Sequence, residues 1–440
     1  MNNDFLQVSG ENLVVNGGKI MLRGFGIGSW MNMEHFMTGL PGNDNQKRKL
    51  FAEIYGEENA KEFFDYYLSC FMTEKDFIFL KELGVNVIRL AFTYRHFEDD
   101  QRPGEYKIEG FKHIDRVLKL CERYGIYAVL DLHGVPGGQN PAPHADNSVG
   151  ETVFWEDASL RNRMIGLWAF IAEHYKDNKW IAAYDIINEP AFVSNAKVFN
   201  DFYYKAIDAI RKIDSHHVIF IEGDGWAQDF SMLYEMCDPQ LAYSFHFYPF
   251  YAVGRKFYPE RCSKADIENA MLPILKIQDR FHRPVWCGET GSRYPREEII
   301  YQTGLVRDTL EILEKYNVSW TLWAYKDAQS MGLVYPKDSS VWMKFVKEIG
   351  WQEEYEKKFT TDVYDFFEKS GYFKQIGELT RFKLKFKFGS IFQDLYIEQL
   401  LRPKLERMQW SELKEYPASF LWENCEYHKE LADMVMSFTK

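Results

Sequence analysis

The stretch that decides the fold is Tyr184-Asp185-Ile186-Ile187-Asn188-Glu189-Pro190. Its β-branched isoleucines predict a buried strand that carries Asn188 and Glu189 at its carboxyl end. Pro190 has no backbone N–H, so it ends the ladder of strand hydrogen bonds. A polar pair at the end of a strand is typical of the carboxyl-terminal face of a (β/α)₈ barrel, where active sites lie. Because a strand running into a polar turn is also common, the other strands must be compared with this one.

Seven further apolar segments alternate with predicted helices. They cover residues 20–27, 84–90, 126–132, 218–221, 241–245, 284–287 and 318–322. Near-continuous apolar strands indicate a parallel sheet that is covered on both faces. Eight such units favour an α/β fold of the (β/α)₈ TIM barrel type with long βα loops over an open doubly wound sheet. No G-x-G-x-x-G motif follows the first strand, which argues against a dinucleotide site.

The alternation of strands and helices stops near residue 345. We therefore predict a barrel with an N-terminal hairpin over residues 1–345, and a mainly helical C-terminal extension over residues 346–440 that packs on it. Within the extension, residues 381–388 (RFKLKFKF) alternate basic and apolar side chains. This period of two predicts a strand with one apolar and one basic face, of the kind that guards a sheet edge.

Composition and charge narrow the functional class. The 440-residue chain carries a formal net charge of −12, which argues against a nucleic-acid partner. Aromatic residues make up 17% of the chain, enough to leave rings for a ligand cleft. No secretory signal and no membrane-spanning apolar stretch is visible, so we expect a soluble, cytoplasmic protein without membrane contact.

The six cysteines lie at positions 70, 121, 237, 262, 287 and 425, without a C-x-x-C pair. We interpret them as buried reduced thiols rather than as a disulfide framework or a zinc site. A metal hydrolase on a barrel would need ligands on the first strand, and Arg23-Gly24-Phe25-Gly26 offers none. Nothing in the sequence implies a metal or an organic cofactor.

Six of the predicted strands end in side chains suited to one reaction. These side chains are Arg89, His133, Asn188, Glu189, His246, Tyr248, Glu289 and Trp323. Each one alone has an ordinary structural explanation, but a barrel brings the carboxyl ends of its strands to one cleft. Glu189 and Glu289 would then face each other across its mouth. Paired carboxylates above an aromatic floor suit glycoside hydrolysis.

At these positions the chain resembles glycoside hydrolase family 5, over roughly residues 20–345. The motifs are Val87-Ile88-Arg89-Leu90, Asp131-Leu132-His133-Gly134, Ile187-Asn188-Glu189-Pro190, His246-Phe247-Tyr248, Gly288-Glu289-Thr290-Gly291 and Trp320-Thr321-Leu322-Trp323. The resemblance implies a retaining β-glycoside hydrolase that acts by double displacement on a β-linked oligosaccharide or small glycoside.

The same resemblance implies a role for each strand-end residue. Glu189 would be the general acid/base and Glu289 the nucleophile. The sugar contacts would come from Asn188, His133 and Trp323, with His246 positioning the acid/base, while Arg89 and Tyr248 would hold Glu289. On physical grounds, Arg89 should keep Glu289 ionised, and apolar walls should keep Glu189 protonated.

A second stretch, Gly26 to Glu34, is similar to the exo-β-1,3-glucanase and β-glucosidase branch of this family. There a glutamate at the position of Glu34 binds the terminal sugar; the alternative here is a solvated loop carboxylate. Asp146 and Asn147 are weaker candidates for the same pocket. We therefore expect an exo-acting, β-glucosidase-like enzyme.

Two alternatives remain open at this stage. The chain could be an endo-β-glucanase of the cellulase type, or a catalytically inactive sugar-binding barrel. The sequence leaves the sugar epimer, the linkage and the oligomeric state open.

Overall fold

The computed structural model describes residues 4–254, 259, 262–295, 298–351 and 364–440. Its centre is a closed barrel of eight parallel strands, numbered β1 to β8 in chain order. They are Arg23–Met31, Val87–Thr93, Tyr127–Gly134, Ile181–Asp185, Val218–Glu222, Leu241–His246, Val285–Thr290 and Ser319–Trp323. Each strand pairs with the next, and β8 closes on β1 through Trp320 and Arg23. The predicted (β/α)₈ TIM barrel is confirmed.

Burial explains why the strands are so apolar. Every residue of β2 to β8 is buried, because helices cover the outside and side chains fill the inside. Strand β4 ends at Asp185, yet the backbone N–H of Asn188 still donates to the carbonyl of Leu132 at 3.1 Å. The Asn188-Glu189 pair therefore leaves the sheet at the carboxyl-terminal face of the barrel.

Helices surround the barrel and continue beyond it. The longer ones are Asp44–Tyr55, Glu57–Phe71, Glu74–Glu82, Phe111–Tyr124, Ala158–Tyr175, Ala196–Arg211, Lys264–Leu275, Ile299–Lys315, Val341–Ile349, Glu378–Tyr396 and Lys429–Thr439. Short helical segments are His35–Thr38, Ile277–Phe281, Tyr364–Lys369, Arg402–Leu405 and Trp410–Leu413. Among the described residues, no helix is both long and apolar enough to cross a membrane.

A small antiparallel sheet lies at the amino-terminal end of the barrel. It consists of Gln7–Ser9, Asn12–Val15 and Gly18–Lys19. Leu6 and Leu13 pack with Leu22, Val87 and Val129 in one buried cluster. These contacts close the end of the barrel that lies opposite the strand tips.

The strand predicted at residues 381–388 is wrong, because this stretch lies inside the helix Glu378–Tyr396. Phe382 and Phe386 are four residues apart, so on a helix they lie on one face and reach the same neighbours. Both rings contact Phe192 and Trp226. These tertiary contacts favour a helix and outweigh the preference for a strand that the local alternation of apolar and basic residues indicates.

The C-terminal segment contacts the barrel helices and loops at several places. Strand Cys425–Tyr427 pairs antiparallel with Val334–Pro336. The buried ammonium of Lys326 lies 2.6 Å from Asp76 Oδ1 and also donates to the carbonyl of Phe420 at 2.9 Å. The domain boundary at residues 345 and 346 stays a prediction, and residues 352–363 of the predicted helical extension lie outside the described residues.

The six cysteines are free thiols. Cys70, Cys121 and Cys287 are buried as expected, whereas Cys237 is exposed, contrary to the interpretation of all six as buried. Burial raises the pKa of the Cys70 thiol to about 11, which keeps it protonated and unreactive at neutral pH.

Candidate active site

A cavity of about 450 Å³ lies at the carboxyl-terminal face of the barrel. Seven of the nine predicted site residues line it, namely Glu34, His133, Glu189, His246, Tyr248, Glu289 and Trp323. Arg89 and Asn188 are fully buried behind its wall. The strand tips therefore converge on a single cavity, as the topology requires.

Glu289 is held from both sides of its carboxylate. Nη1 of Arg89 donates to Oε1 at 2.6 Å, and the hydroxyl of Tyr248 donates to Oε2 at 2.7 Å. These contacts fix the rotamer of Glu289 and place negative charge at the cavity floor. The arrangement suits a carboxylate that acts as a nucleophile.

Glu189 is placed by an uncommon backbone conformation. Its φ is +49°, in the left-handed region that costs a non-glycine residue about 1–2 kcal/mol. Two buried contacts hold it there: its N–H donates to Glu222 Oε2 at 2.5 Å, and Asn140 Nδ2 donates to its carbonyl at 2.9 Å. The turn directs the Glu189 side chain into the cavity instead of along the strand.

The carboxylate of Glu189 lies between two histidines. Nδ1 of His246 contacts Oε1 and Nε2 of His144 contacts Oε2, both at 2.8 Å. Burial alone would raise the pKa of Glu189, but the hydrogen bonds from His144 and His246 outweigh it and hold the pKa well below its usual range. This lowered pKa favours the ionised form of Glu189, contrary to the protonated form that the sequence analysis expects.

The pKa of the neighbouring His246 is shifted in the opposite direction. Burial lowers the pKa of His246, but the charges of Glu222 and Glu289 and the hydrogen bond with Glu189 raise it well above its usual value. Its Nε2 lies 3.1 Å from Glu222 Oε1, although without hydrogen-bond alignment. The His246–Glu189 pair thus holds one proton between its two members, and the pair titrates as a unit.

The two candidate catalytic carboxylates lie close together. An oxygen of Glu189, an oxygen of Glu289 and a ring nitrogen of His246 all lie within 4.8 Å of one another. Within the part of the chain that the structure describes, these three residues form the group that could hold a metal ion. Each already has protein partners, since Arg89 and Tyr248 bind Glu289 while His144 and His246 bind Glu189.

Beneath the cavity, Arg89 is surrounded by buried acids. Besides Glu289, it contacts Asp131 at 3.1 Å, Asp185 at 2.9 Å and Glu222 at 3.4 Å. Burial of the guanidinium lowers its pKa, but these carboxylates raise the pKa of Arg89 well above its usual value. Burial and the charge of Glu222 raise the pKa of Asp185. Arg89 is therefore a permanent cation on which the whole floor is assembled.

Trp323 and His133 form the flat side of the cavity. Their rings stack at 5.2 Å between centroids with an interplanar angle of 4°. Nδ1 of His133 lies 2.7 Å from Asp131 Oδ2, which fixes the ring orientation. A Cβ at Gly26 or Gly28 would lie 2.4 Å or 2.5 Å from the Trp323 ring, so the glycines of β1 make room for the indole.

Glu34 is not a solvated loop carboxylate, because it is buried to 2% exposure in the cavity wall. Its Oε1 makes no hydrogen bond to any described residue, and Nε2 of His133 lies 3.9 Å away. Burial and then the charges of Glu289 and Glu189 raise the pKa of Glu34 well above its usual value. A buried carboxyl without a protein partner is suited to a ligand hydroxyl.

The other predicted residues have structural contacts. Asn188 accepts from Arg89 Nη2 at 2.8 Å, and its Nδ2 lies 3.4 Å from His133 Nε2, which places it between Arg89 and His133. Asp146 pairs with Arg95 at 2.9 Å, and Asn147 donates to the carbonyl of Asn140 at 2.8 Å. Neither loop residue lines the described cavity, so their assignment to the pocket is wrong.

Sequence reasoning missed four contributions. Glu222 ends β5 just as Glu289 lies near the end of β7, so its strand-tip position was a readable signal. His144 lies inside a long loop, where nothing local distinguishes it. Phe382 and Phe386 belong to the C-terminal helix and line the cavity, although the period of two assigned them to an edge strand.

The family model described as Cellulase (glycosyl hydrolase family 5) matches residues 53–329. A Beta-xylosidase of Phanerodontia chrysosporium is 39% identical over 361 residues, which is 78% of this chain and 75% of that protein.

Two further relatives are more distant. Endoglucanase C of Acetivibrio thermocellus is 25% identical over 308 residues, covering 61% of this chain and 86% of that protein. Glucan 1,3-beta-glucosidase 1 of Schizosaccharomyces pombe is 27% identical over 180 residues, covering 38% of this chain and 43% of that protein.

Proposed function

Because the chain belongs to glycosyl hydrolase family 5, we propose that it is a retaining, exo-acting β-glycosidase on short oligosaccharides or small glycosides. The chain is a glycoside hydrolase, as its relatives are. The retaining mechanism, the exo mode and the residue roles below are the proposed part.

The observation that carries the retaining mechanism is the closeness of Glu189 and Glu289. Their nearest oxygens lie within 4.8 Å. Retaining glycosidases place their carboxyl groups about 5–5.5 Å apart, whereas inverting ones need about 6.5–9.5 Å to admit a water molecule. The spacing leaves room for a sugar carbon but not for a water behind it.

In the first step, the Glu289 carboxylate attacks the anomeric carbon. The bond to the leaving oxygen breaks as Glu189 donates a proton to that oxygen. In the second step, Glu189 takes a proton from water, and the water oxygen displaces Glu289 from the anomeric carbon. Arg89 and Tyr248 keep Glu289 aimed throughout, while Trp323, His133, Asn188 and Glu34 are the proposed sugar ligands.

The proton for the first step comes from the His246–Glu189 pair. Their contact of 2.8 Å allows transfer from Nδ1 of His246 to Oε1 of Glu189 without a water. A substrate that displaces water from the cavity weakens the ionised pair in favour of the neutral one, because charges lose solvation. Glu189 then carries the proton beside the leaving oxygen.

Two features support exo action. Glu34 presents to the cavity a buried carboxyl oxygen that bonds no described residue, which suits a hydroxyl of a terminal sugar. The helix Glu378–Tyr396 adds Phe382 and Phe386 to the cavity lining, where they narrow the space for a longer sugar chain. The relative that is 39% identical is named a Beta-xylosidase.

The decisive experiment is a panel of aryl β-D-glucoside, xyloside, mannoside and galactoside, together with product analysis on a pentasaccharide. We expect turnover of at least one aryl glycoside and release of single sugars from one chain end. Mid-chain products would instead favour the endoglucanase function that is named for a relative. A folded protein without any turnover would favour a sugar-binding barrel.

A further inference from the structure

Both polar and aromatic side chains line the cavity. Glu34, His133 and Glu289 are among the polar ones, beside which a sugar would lie. Three of the aromatic ones, Trp226, Phe382 and Phe386, contact one another, and we call them the aromatic wall.

The aromatic wall lies on the side of the acid/base. The N–H of Trp226 donates to the carbonyl of Pro190 at 3.0 Å, directly after Glu189. Since Glu189 has to face the leaving oxygen, groups attached to its turn border the leaving group rather than the attacked sugar. We infer that the aromatic wall is a binding site for an apolar leaving group, so the natural substrates are β-glycosides of aromatic or aliphatic alcohols. This inference rests on the proposed glycosidase function.

The wall is a built surface. The Trp226 ring stacks on Phe386 at 5.8 Å between centroids and meets Phe382 edge-on at 5.6 Å. The ring of Phe192 packs against Trp226 and Phe382, at centroid distances of 5.5 Å and 5.8 Å. Phe382 lines the cavity and is nevertheless 41% exposed, so apolar surface remains for a ligand to cover.

The C-terminal helix is fixed to the loops of the barrel by polar contacts of residues that follow Phe386 in sequence. Gln393 Oε1 accepts from the N–H of Gly42 at 2.7 Å, and Asp394 accepts from Gln46 at 2.6 Å. Ser390 bonds the carbonyl of Ser148, and Lys387 pairs with Glu151. These contacts bring loops after β1 and β3 under one helix, which holds Phe382 and Phe386 in place.

The three side chains of the wall offer mainly apolar contact. A second sugar unit would stack on these rings but would also need hydrogen-bond partners for its hydroxyls, for which the three side chains supply a single donor, the indole N–H of Trp226. An alkyl or aryl group needs only apolar contact. The wall therefore favours a short apolar leaving group over extension of a sugar chain.

The test uses methyl, butyl and octyl β-glucosides and β-xylosides, because their leaving oxygens have nearly equal basicity. For the wild type, kcat/KM should rise about twofold to fourfold per methylene until the wall is covered, as expected for burial of apolar surface. Phe386→Ala should lower kcat/KM about 10-fold for the octyl glycoside and less than about twofold for the methyl glycoside.

The matched control is Ile391→Ala on the same helix, since Ile391 is 59% exposed and lies away from the cavity. Ile391→Ala should leave kcat/KM unchanged for both the methyl and the octyl glycoside. Circular dichroism checks that all variants are folded. The inference would be overturned if wild-type kcat/KM did not rise along the alkyl series, or if Phe386→Ala lowered kcat/KM equally for the methyl and octyl glycosides. Either result would leave the proposed glycosidase function intact. Absence of turnover on every glycoside would instead refute the proposed function.

Discussion

Replacing His144 with alanine tests how the acid/base is tuned. His144 gives Glu189 one of its two histidine contacts, at 2.8 Å on Oε2. This contact stabilises the carboxylate and is among the causes of its lowered pKa. Without it the carboxylate is less stable, the pKa of Glu189 rises, and Glu189 keeps its proton to higher pH.

The size of the expected pH shift follows from the loss of one hydrogen bond to Glu189. A bond to a charged group contributes about 1.5–3 kcal/mol when it is buried. The side chain of His144 is 21% exposed, so water replaces part of the lost contact and about 1–1.5 kcal/mol remains. Since 1.36 kcal/mol corresponds to one pH unit, the alkaline limb of the kcat/KM profile should move up by about one unit.

The assay is the pH dependence of kcat/KM for an alkyl glycoside, whose poor leaving group needs the acid. The control His174→Ala removes a half-exposed histidine that pairs with Asp115 on the outer helices, and its profile should match the wild type. An alkaline limb of His144→Ala that stays in place or moves to lower pH would refute the assignment of His144 as a donor to Glu189.

Two further predictions concern stability. Lys326→Met leaves the buried Asp76 carboxylate without its cation and should lower the unfolding free energy by about 3–5 kcal/mol in urea melts. The control Lys75→Met breaks an exposed ion pair and should lower the unfolding free energy by less than about 1 kcal/mol. Equal losses in the two variants would contradict this prediction. Because the folded-state pKa of Glu34 is raised, the folded protein binds the extra proton and its stability falls as pH rises above the unfolded pKa of about 4.5. Glu34→Gln should lack this part of the fall, and parallel curves of unfolding free energy against pH for the two proteins would refute it.

The barrel and the catalytic pair could be read from the sequence because each depends on local signals. An apolar strand that ends in a polar tip is a short-range pattern, and the topology of parallel strands brings such tips together. Glu189, Glu289 and their neighbours Arg89 and Tyr248 were found in this way. Glu222 carried the same signal at the end of β5 and was overlooked.

Other features depend on distant contacts and left no local trace. His144 acts only because its loop folds back onto Glu189, and that contact reverses the protonation expected for the acid/base. Phe382 and Phe386 follow a strand-like alternation, yet Trp226 and Phe192 select the helix. Packing between segments far apart in sequence decided both outcomes.

The most direct test of the central claim is azide rescue of the two glutamate variants. If Glu289 is the nucleophile, Glu289→Ala loses turnover of an aryl β-glycoside, and azide restores it with the inverted α-glycosyl azide as product. Glu189→Ala with azide should yield the retained β-glycosyl azide, because the covalent intermediate still forms on Glu289. A β-glycosyl azide from Glu289→Ala, or an α-glycosyl azide from Glu189→Ala, would contradict the assigned roles.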